Sequence, residues 1–407
     1  MKHVACPLCG ADVPHAFLHL PKATINKGRT VFVRPLTVVA CLACGMVYNT
    51  PRLDAEDIRD LYEPMAHLPL PVSTDESVAV VRPSLLEEDQ FNAAVVAMGA
   101  SGLGGASVME VGCGQGRFLS LCDQAGAVVV GAEPSEADAQ YALNVFGIEV
   151  ERAYYGIETF RQESFDLITM LFVLEHLDEP LESLIAAFEQ LKFGGVLMAE
   201  VPDVTRPFVG VDWFFTLEHL HNFSPSSLRA MLDKVGFVVE SVEQKQAIPN
   251  TGIDSRLRVI ARKPNAPFHV ASQQNAMDAI ADGAAYLEAR SALVNRIDTQ
   301  LAPRIERWKR ERSKVFVFGA GSHTVELLRS TAMANAPVEG IEDSNPALQG
   351  QTFLGLPVHS PDALDTLAPN AIVISARAWE SEIWDLLAPQ RARGVEVVPL
   401  YSSPEMT

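Results

Sequence analysis

Four cysteines, a run of glycines bracketed by acids, and two histidines are the residues of this chain whose types and spacing could do chemistry. Cys6-Pro7-Leu8-Cys9-Gly10 and Cys41-Leu42-Ala43-Cys44-Gly45 form two C-x-x-C-G turns with thirty-one residues between them. Each turn aims two thiolates at one point, and the glycine behind it lets backbone N–H groups approach sulfur. Two such turns complete a tetrahedral, all-sulfur zinc site of Cys6, Cys9, Cys41 and Cys44. Four thiolates leave no open position for catalysis, so the expected ion is structural and its loss should destabilise the fold. Its role would be to hold the segment from Tyr48 to Tyr62 against the catalytic domain. The competing reading is a set of redox-active or unmetallated thiols.

The second constellation is Glu110-Val111-Gly112-Cys113-Gly114-Gln115-Gly116, which follows the apolar run Val108-Met109. Gly112, Gly114 and Gly116 let a ligand approach bare backbone at a helix start. Dinucleotide enzymes carry such a loop too, so the flanking acids decide. Glu110 stands ahead of the first glycine, where a carboxylate would neighbour a cationic amino-acid group and would repel a pyrophosphate. Glu133 ends the next apolar run nineteen residues after Gly114, which suits a two-pronged grip on ribose hydroxyls. Further along come Ser164-Phe165-Asp166-Leu167-Ile168, then Leu174-Glu175-His176-Leu177-Asp178-Glu179-Pro180, then Phe193-Gly194-Gly195-Val196-Leu197.

In this order these blocks resemble the class I S-adenosylmethionine methyltransferases. That resemblance implies that Glu110, Gly112, Gly114 and Gly116 border the methionine part of the cofactor and Glu133 its ribose. With the cysteine turns ahead and a second glycine loop behind, the whole chain resembles the zinc-containing C-methyltransferases of deoxysugar biosynthesis. Those enzymes methylate C3 of a nucleotide-linked 4-keto sugar and carry a Tyr-x-Glu-His-x-x-x-Phe-Ser block. Here Thr216-Leu217-Glu218-His219-Leu220-His221-Asn222-Phe223-Ser224 matches it at Glu218 and His219, with Thr216 where the tyrosine would stand. A second family histidine falls on His176. Making carbon nucleophilic beside a ketone takes a base for the α-proton and a donor for the enolate. His219 is the expected base and Glu218 its orienter or a ligand-hydroxyl acceptor. The rival enzyme reading is an O- or N-methyltransferase of a small natural product, in which His219 deprotonates a hydroxyl. A non-catalytic scaffold is the third.

Elements must position these residues. Strand and helix signals alternate from Ser107 to Val201: strands at Ala127–Ala132, Phe165–Leu171 and Val196–Val201, and helices from Ser135 and over Leu181–Leu191. Such alternation implies an open parallel α/β sheet with helices on both faces. The first fifty residues read as short strands and turns, and residues 51–100 as a helical connector, with prolines from Pro69 to Pro83 and an amphipathic stretch from Ser84 to Met98. Ala271 to Arg312, Ala-rich and nearly free of Gly and Pro, predicts one or two long helices. A second α/β pattern opens at Lys314 with Gly319-Ala320-Gly321-Ser322-His323-Thr324, Thr324 standing where a Rossmann third glycine would be. Nothing else in the chain calls for hydride transfer, so this loop reads as scaffold or substrate grip. By the resemblance it helps enclose a nucleotide sugar, and residues 319–322 would take a phosphate. Only the glycine loops of the two α/β units look alike. The expected domains are a zinc-binding module at 1–65, a Rossmann-like methyltransferase domain at 66–265, a helical spacer at 266–312 and a C-terminal Rossmann-like domain at 313–407.

Composition bounds the partners. The 407 residues carry 32 basic and 51 acidic side chains, a net charge of −19 that repels a phosphate backbone and excludes nucleic acid as the expected substrate. Without a signal-peptide core or an apolar run approaching the ~20 residues of a membrane span, a cytoplasmic setting is expected, with reduced or metal-bound thiols. The expected acceptor is a small molecule.

Overall fold

Short apolar runs punctuated by glycine turns make the strands of the first half. The computed structural model describes residues 1–27, 30–62, 84–248, 254–265 and 276–401. In chain order the strands are β1 (Pro14–Lys27), β2 (Thr30–Cys41), β3 (Val47–Asn49), β4 (Ser107–Val111), β5 (Val128–Ala132), β6 (Val150–Glu151), β7 (Phe165–Leu171), β8 (Leu191–Pro202), β9 (His221–Asn222), β10 (Val238–Lys245) and β11 (Arg256–Arg262). Seven form one sheet in the order β10-β11-β8-β7-β4-β5-β6. All of its pairings are parallel except those of β11, which runs against both neighbours. Along β4, Val108 packs on one face and Met109 on the other, and Leu167 and Ile168 of β7 divide likewise. A sheet covered on both faces needs such unbroken apolar strands. The buried charges of β8 and β11 are paired: Glu200 of β8 accepts from Arg256 Nε at 3.2 Å and Arg258 Nε at 2.6 Å. Both arginines also reach Asp89 Oδ2 at 2.6 Å, which ties the helix Leu85–Met98 to the sheet.

The amino-terminal region differs from the short strands expected of it. β1 and β2 form a long antiparallel hairpin whose register shifts after Ala16 and again after Leu20. β3 joins this hairpin, and β9, from far along the chain, completes a four-stranded sheet. Cys6, Leu8, Val39, Cys41, Met46 and Tyr48 share a core with Met109, Ile168 and Leu228 of the large sheet's layer. The prolines from Pro69 to Pro83 lie outside the described residues.

By its packing the chain divides into two units. Residues 1–207, 215–248 and 254–284 form the first; residues 208–214 and those from 285 onward belong to the second. The Ala-rich stretch is one helix, Ala276–Glu311. Its Ile297, Leu301, Ile305 and Trp308 recur at helical spacing on one face and are buried in the second unit's core. Six strands make that unit's sheet, in spatial order Thr352–Phe353, Leu356–His359, Val338–Glu342, Val315–Phe318, Ala371–Ile374 and Glu396–Val398. All its pairings are parallel except that of the first two strands. Arg290 stacks 3.5 Å from the Trp213 ring centre, Phe214 N–H donates to Tyr286 Oη at 2.9 Å, and Val211 N–H donates to Tyr401 Oη at 3.0 Å. No helix among the described residues is long and apolar enough to cross a membrane.

Candidate active site

β4 ends at Val111, and the chain turns through Gly112, Gly114 and Gly116 at φ of 64°, 49° and 75°. A Cβ on Gly112 would come within 2.7 Å of the Val173 side chain, and one on Gly116 within 2.9 Å of Ala142, so backbone conformation and space both demand glycine. The Glu133 carboxylate closes the loop, accepting from Gly114 N–H at 3.1 Å and Ser135 N–H at 2.9 Å. Glu110 is buried, and its Oε2 has no hydrogen-bond partner among the described residues. Burial holds its carboxyl well above the usual range, and the charges of Glu87 and Glu133 push the same way. A buried acid lacking a counter-charge beside bare backbone is what an amino-acid ammonium group would satisfy. Glu110, the three glycines and Glu133, all singled out by sequence, are thus brought together and fit the amino and ribose groups of S-adenosylmethionine. The second unit repeats the arrangement at the acid that ends its second strand: Ala320 N–H donates to Asp343 Oδ2 at 2.7 Å, and Asn345 N–H to Asp343 Oδ1 at 2.8 Å.

The histidines come together from two segments. Phe172, at φ 55°, turns the chain out of β7, and His176 follows on that turn. His219 arrives on the segment between Phe215 and β9. Asn49 of β3 holds that segment, donating from Nδ2 to the carbonyls of Thr216 and His219 at 2.9 Å each. Thr216, where the resembling family has tyrosine, accepts from His219 N–H at 3.3 Å through Oγ1. The two imidazole rings meet edge to face, centres 4.9 Å apart. His176 Nδ1 lies 2.9 Å from the Glu218 carbonyl oxygen. A carbonyl only accepts, so in the neutral ring Nδ1 bears the proton and Nε2 the lone pair.

Sequence reasoning gave no role to Glu175. Its carboxyl oxygen and one nitrogen from each of His176 and His219 all lie within 4.8 Å of one another. Burial pushes this carboxyl up to about 8 against the pull of its own backbone N–H, and Glu218 adds to the rise. The available signal was an acid directly before a histidine in an apolar frame. Asn49 offered no signal at all. His221, in contrast, is a sheet residue: it is buried, its Nε2 lies 2.9 Å from the Leu177 carbonyl oxygen, and burial, then Arg52, pushes it down to about 3.

The cysteines converge as their spacing predicts. Cys6 and Cys44 sulfurs are 3.5 Å apart, Cys9 and Cys41 sulfurs 3.6 Å, and all four lie within 4.8 Å of one another. Four thiolates at the ~2.3 Å zinc–sulfur distance around a tetrahedron stand about 3.8 Å apart, so the donor set fits that ion. Gly10 and Gly45, at φ 78° and 74°, donate to the Cys6 and Cys41 carbonyls at 2.8 Å and close the two turns. Burial pushes the Cys41 thiol up to about 11, opposed by the backbone N–H groups of Ala43 and Cys44.

Known proteins with these features bear on the chemistry. Residues 87–242 match the methyltransferase domain family, and residues 260–400 match the family described as C-methyltransferase C-terminal domain. A ubiquinone biosynthesis O-methyltransferase of Pseudomonas fluorescens is 30% identical over 158 residues, covering 35% of this chain and 68% of that enzyme. One from a Shewanella species is 26% identical over 172 residues, covering 38% of this chain and 72% of that enzyme. Among solved structures, an S-adenosylmethionine-dependent methyltransferase of Mesorhizobium loti is 21% identical, with a TM-score of 0.35 and coverage of 42% of this chain and 96% of its own. A possible histamine N-methyltransferase of Thermotoga maritima is 23% identical, also at 0.35, over 44% of this chain and 91% of its own. With two family matches meeting a loop and acids suited to the cofactor, the chain belongs to the class I S-adenosylmethionine-dependent methyltransferases and carries a C-methyltransferase C-terminal domain.

Proposed function

We propose that this enzyme methylates a carbon beside a carbonyl in a small oxygenated metabolite, and that a nucleotide-linked keto sugar is its acceptor. The observation that carries the reading is the contact between His176 and His219, one ring fixed through its Nδ1 and the other carried on a segment whose backbone Asn49 holds. Neutral imidazoles held beside each other give a base that works near neutral pH. S-adenosylmethionine, when bound, supplies an electrophilic methyl group. Glu110 takes its ammonium group, the bare backbone of Gly112, Gly114 and Gly116 lies against its methionine part, and Glu133 grips its ribose hydroxyls. His219 removes the acceptor's α-proton at a ring nitrogen, with Glu218 orienting it or accepting from an acceptor hydroxyl. Cys6, Cys9, Cys41 and Cys44 hold a structural zinc ion, and a cytosolic setting keeps those thiols reduced for it. The match of residues 260–400 to a C-methyltransferase domain supports carbon as the methylated atom.

His219→Ala is expected to keep cofactor affinity while losing about 10²–10⁴-fold in turnover, the worth of a positioned base. The parent, given the demethylated cofactor product and a keto sugar nucleotide in deuterated water, should exchange the acceptor's α-hydrogen, as mass spectrometry would read. A fully active variant would sink the base assignment. The O-methyltransferases among the relatives favour a second reading, methylation of a hydroxyl. Turnover without any carbon exchange would establish it.

A further inference from the structure

Glu175 is the buried acid that this reaction scheme leaves unused. Its side chain is 2% exposed, and its Oε1 stands 3.8 Å from His176 Nε2. Its Oε2 is buried with no hydrogen-bond partner among the described residues. The titratable groups facing it are His176 on its own turn and His219 and Glu218 on the incoming segment; behind them lies His221, with Arg52 against it. An ionised carboxylate here would be desolvated and beside a second acid, whereas a carboxylic acid offers a proton toward the nitrogen that must bear the lone pair. The backbone is fixed as well, because the Glu175 carbonyl accepts from His221 N–H of β9 at 3.2 Å.

We propose that Glu175 is a positioning residue for the histidine pair: as a neutral carboxylic acid it donates a hydrogen bond to His176 Nε2 and locks that ring against His219, the base that takes the substrate's proton. The distance of 3.8 Å closes by a small side-chain rotation, as such contacts tighten when a site fills. Glu218 holds the opposite edge of the His176 ring through its backbone carbonyl, so the ring has a partner on each nitrogen. As pH rises through about 8 the Glu175 proton is lost, the donor becomes an acceptor, and the two lone pairs repel. With that hydrogen bond lost, the His176 ring no longer holds His219 in place, so turnover falls on the alkaline side.

The inference rests on the histidine-base reading, and a measurement that needs no acceptor separates the two. In the whole zinc-bound enzyme labelled with ¹⁵N-histidine, NMR should show His176 neutral with its proton on Nδ1 below pH ~8, and a step in both rings near that pH. Glu175→Gln keeps an N–H donor but cannot ionise. It should abolish the step, flatten the alkaline limb of turnover, and keep far more activity at pH 7 than Glu175→Ala. The alanine variant should lose about 10²-fold in kcat, the lower end for a disturbed acid–base pair, without a matching change in cofactor affinity. Should Glu175→Ala fail to fold, the comparison of parent with Gln decides alone. A step near pH 8 that survives in Glu175→Gln would overturn the proposal. So would Gln and Ala variants equally impaired at pH 7, or saturable Mn²⁺ binding that Glu175→Gln abolishes, since the cluster would then be a cation site. A fully active His219→Ala would remove the base reading and leave the ring measurement to decide on Glu175.

Discussion

Among single residues, Glu133 carries two duties that pull on one carboxylate. It caps the N–H groups of Gly114 and Ser135, and it is the proposed ribose ligand. Glu133→Ala should therefore weaken S-adenosylmethionine binding by about 1–3 kcal/mol, as when a charged hydrogen-bonding partner leaves a site. Calorimetry reads this directly, and equal affinities in parent and variant would show that the ribose lies elsewhere. Glu110 differs in kind, since its Oε2 is buried with no hydrogen-bond partner among the described residues and burial holds its carboxyl well above the usual range. These two acids were legible in the sequence because Glu110 stands just ahead of the glycine loop and Glu133 ends the next apolar run, nineteen residues after Gly114. Glu175 was not, because its meaning depends on His219, forty-four positions downstream in sequence and adjacent only once folded.

At the level of elements, the strand β3 positions the segment that carries His219. Asn49 is 1% exposed and donates to two of that segment's carbonyls. Asn49→Ala would leave two half-buried acceptors without this donor, at about 1–3 kcal/mol of stability. Turnover should fall more than cofactor affinity does, because the cofactor loop lies on other strands; denaturation midpoints and steady-state kinetics would check both. Unchanged kcat in a stably folded variant would mean that the segment holds itself. The same elements mark where sequence reading stops. The large sheet was readable from its alternating strands and glycine turns, and so was the long helix from its composition. The hairpin of β1 and β2 was not, since its register shifts break the period-two pattern that announces a strand. A two-residue strand such as β9 has no period to read.

For the molecule as a whole, the cysteine turns belong to the same apolar core as the cofactor sheet, so they are part of its foundation. Purified protein should hold about one zinc per chain, and Cys41→Ser should lower both metal content and melting temperature. Elemental analysis and calorimetry would check this, and a metal-free preparation that melts unchanged would refute it. The second unit has a separate core built on Ile297, Leu301, Ile305 and Trp308. Its glycine loop, followed in sequence by a second strand that ends in Glu342-Asp343, has Asp343 in the place that Glu133 takes in the first.

The pairing of β3 with β9 also sets a timetable for biosynthesis. Asn49 and the His219 carbonyl it binds are 170 residues apart in the chain. A ribosome adding roughly 5–20 residues per second needs on the order of 10–30 s to make that stretch. During this interval the hairpin and its cysteines have left the exit tunnel, while the strand that closes their sheet does not yet exist. The exposed edge of β3 is then a place where a nascent chain could pair with a neighbour on the same message. Early capture of a metal ion by the two cysteine turns would shorten that exposure by fixing the hairpin before its last strand arrives.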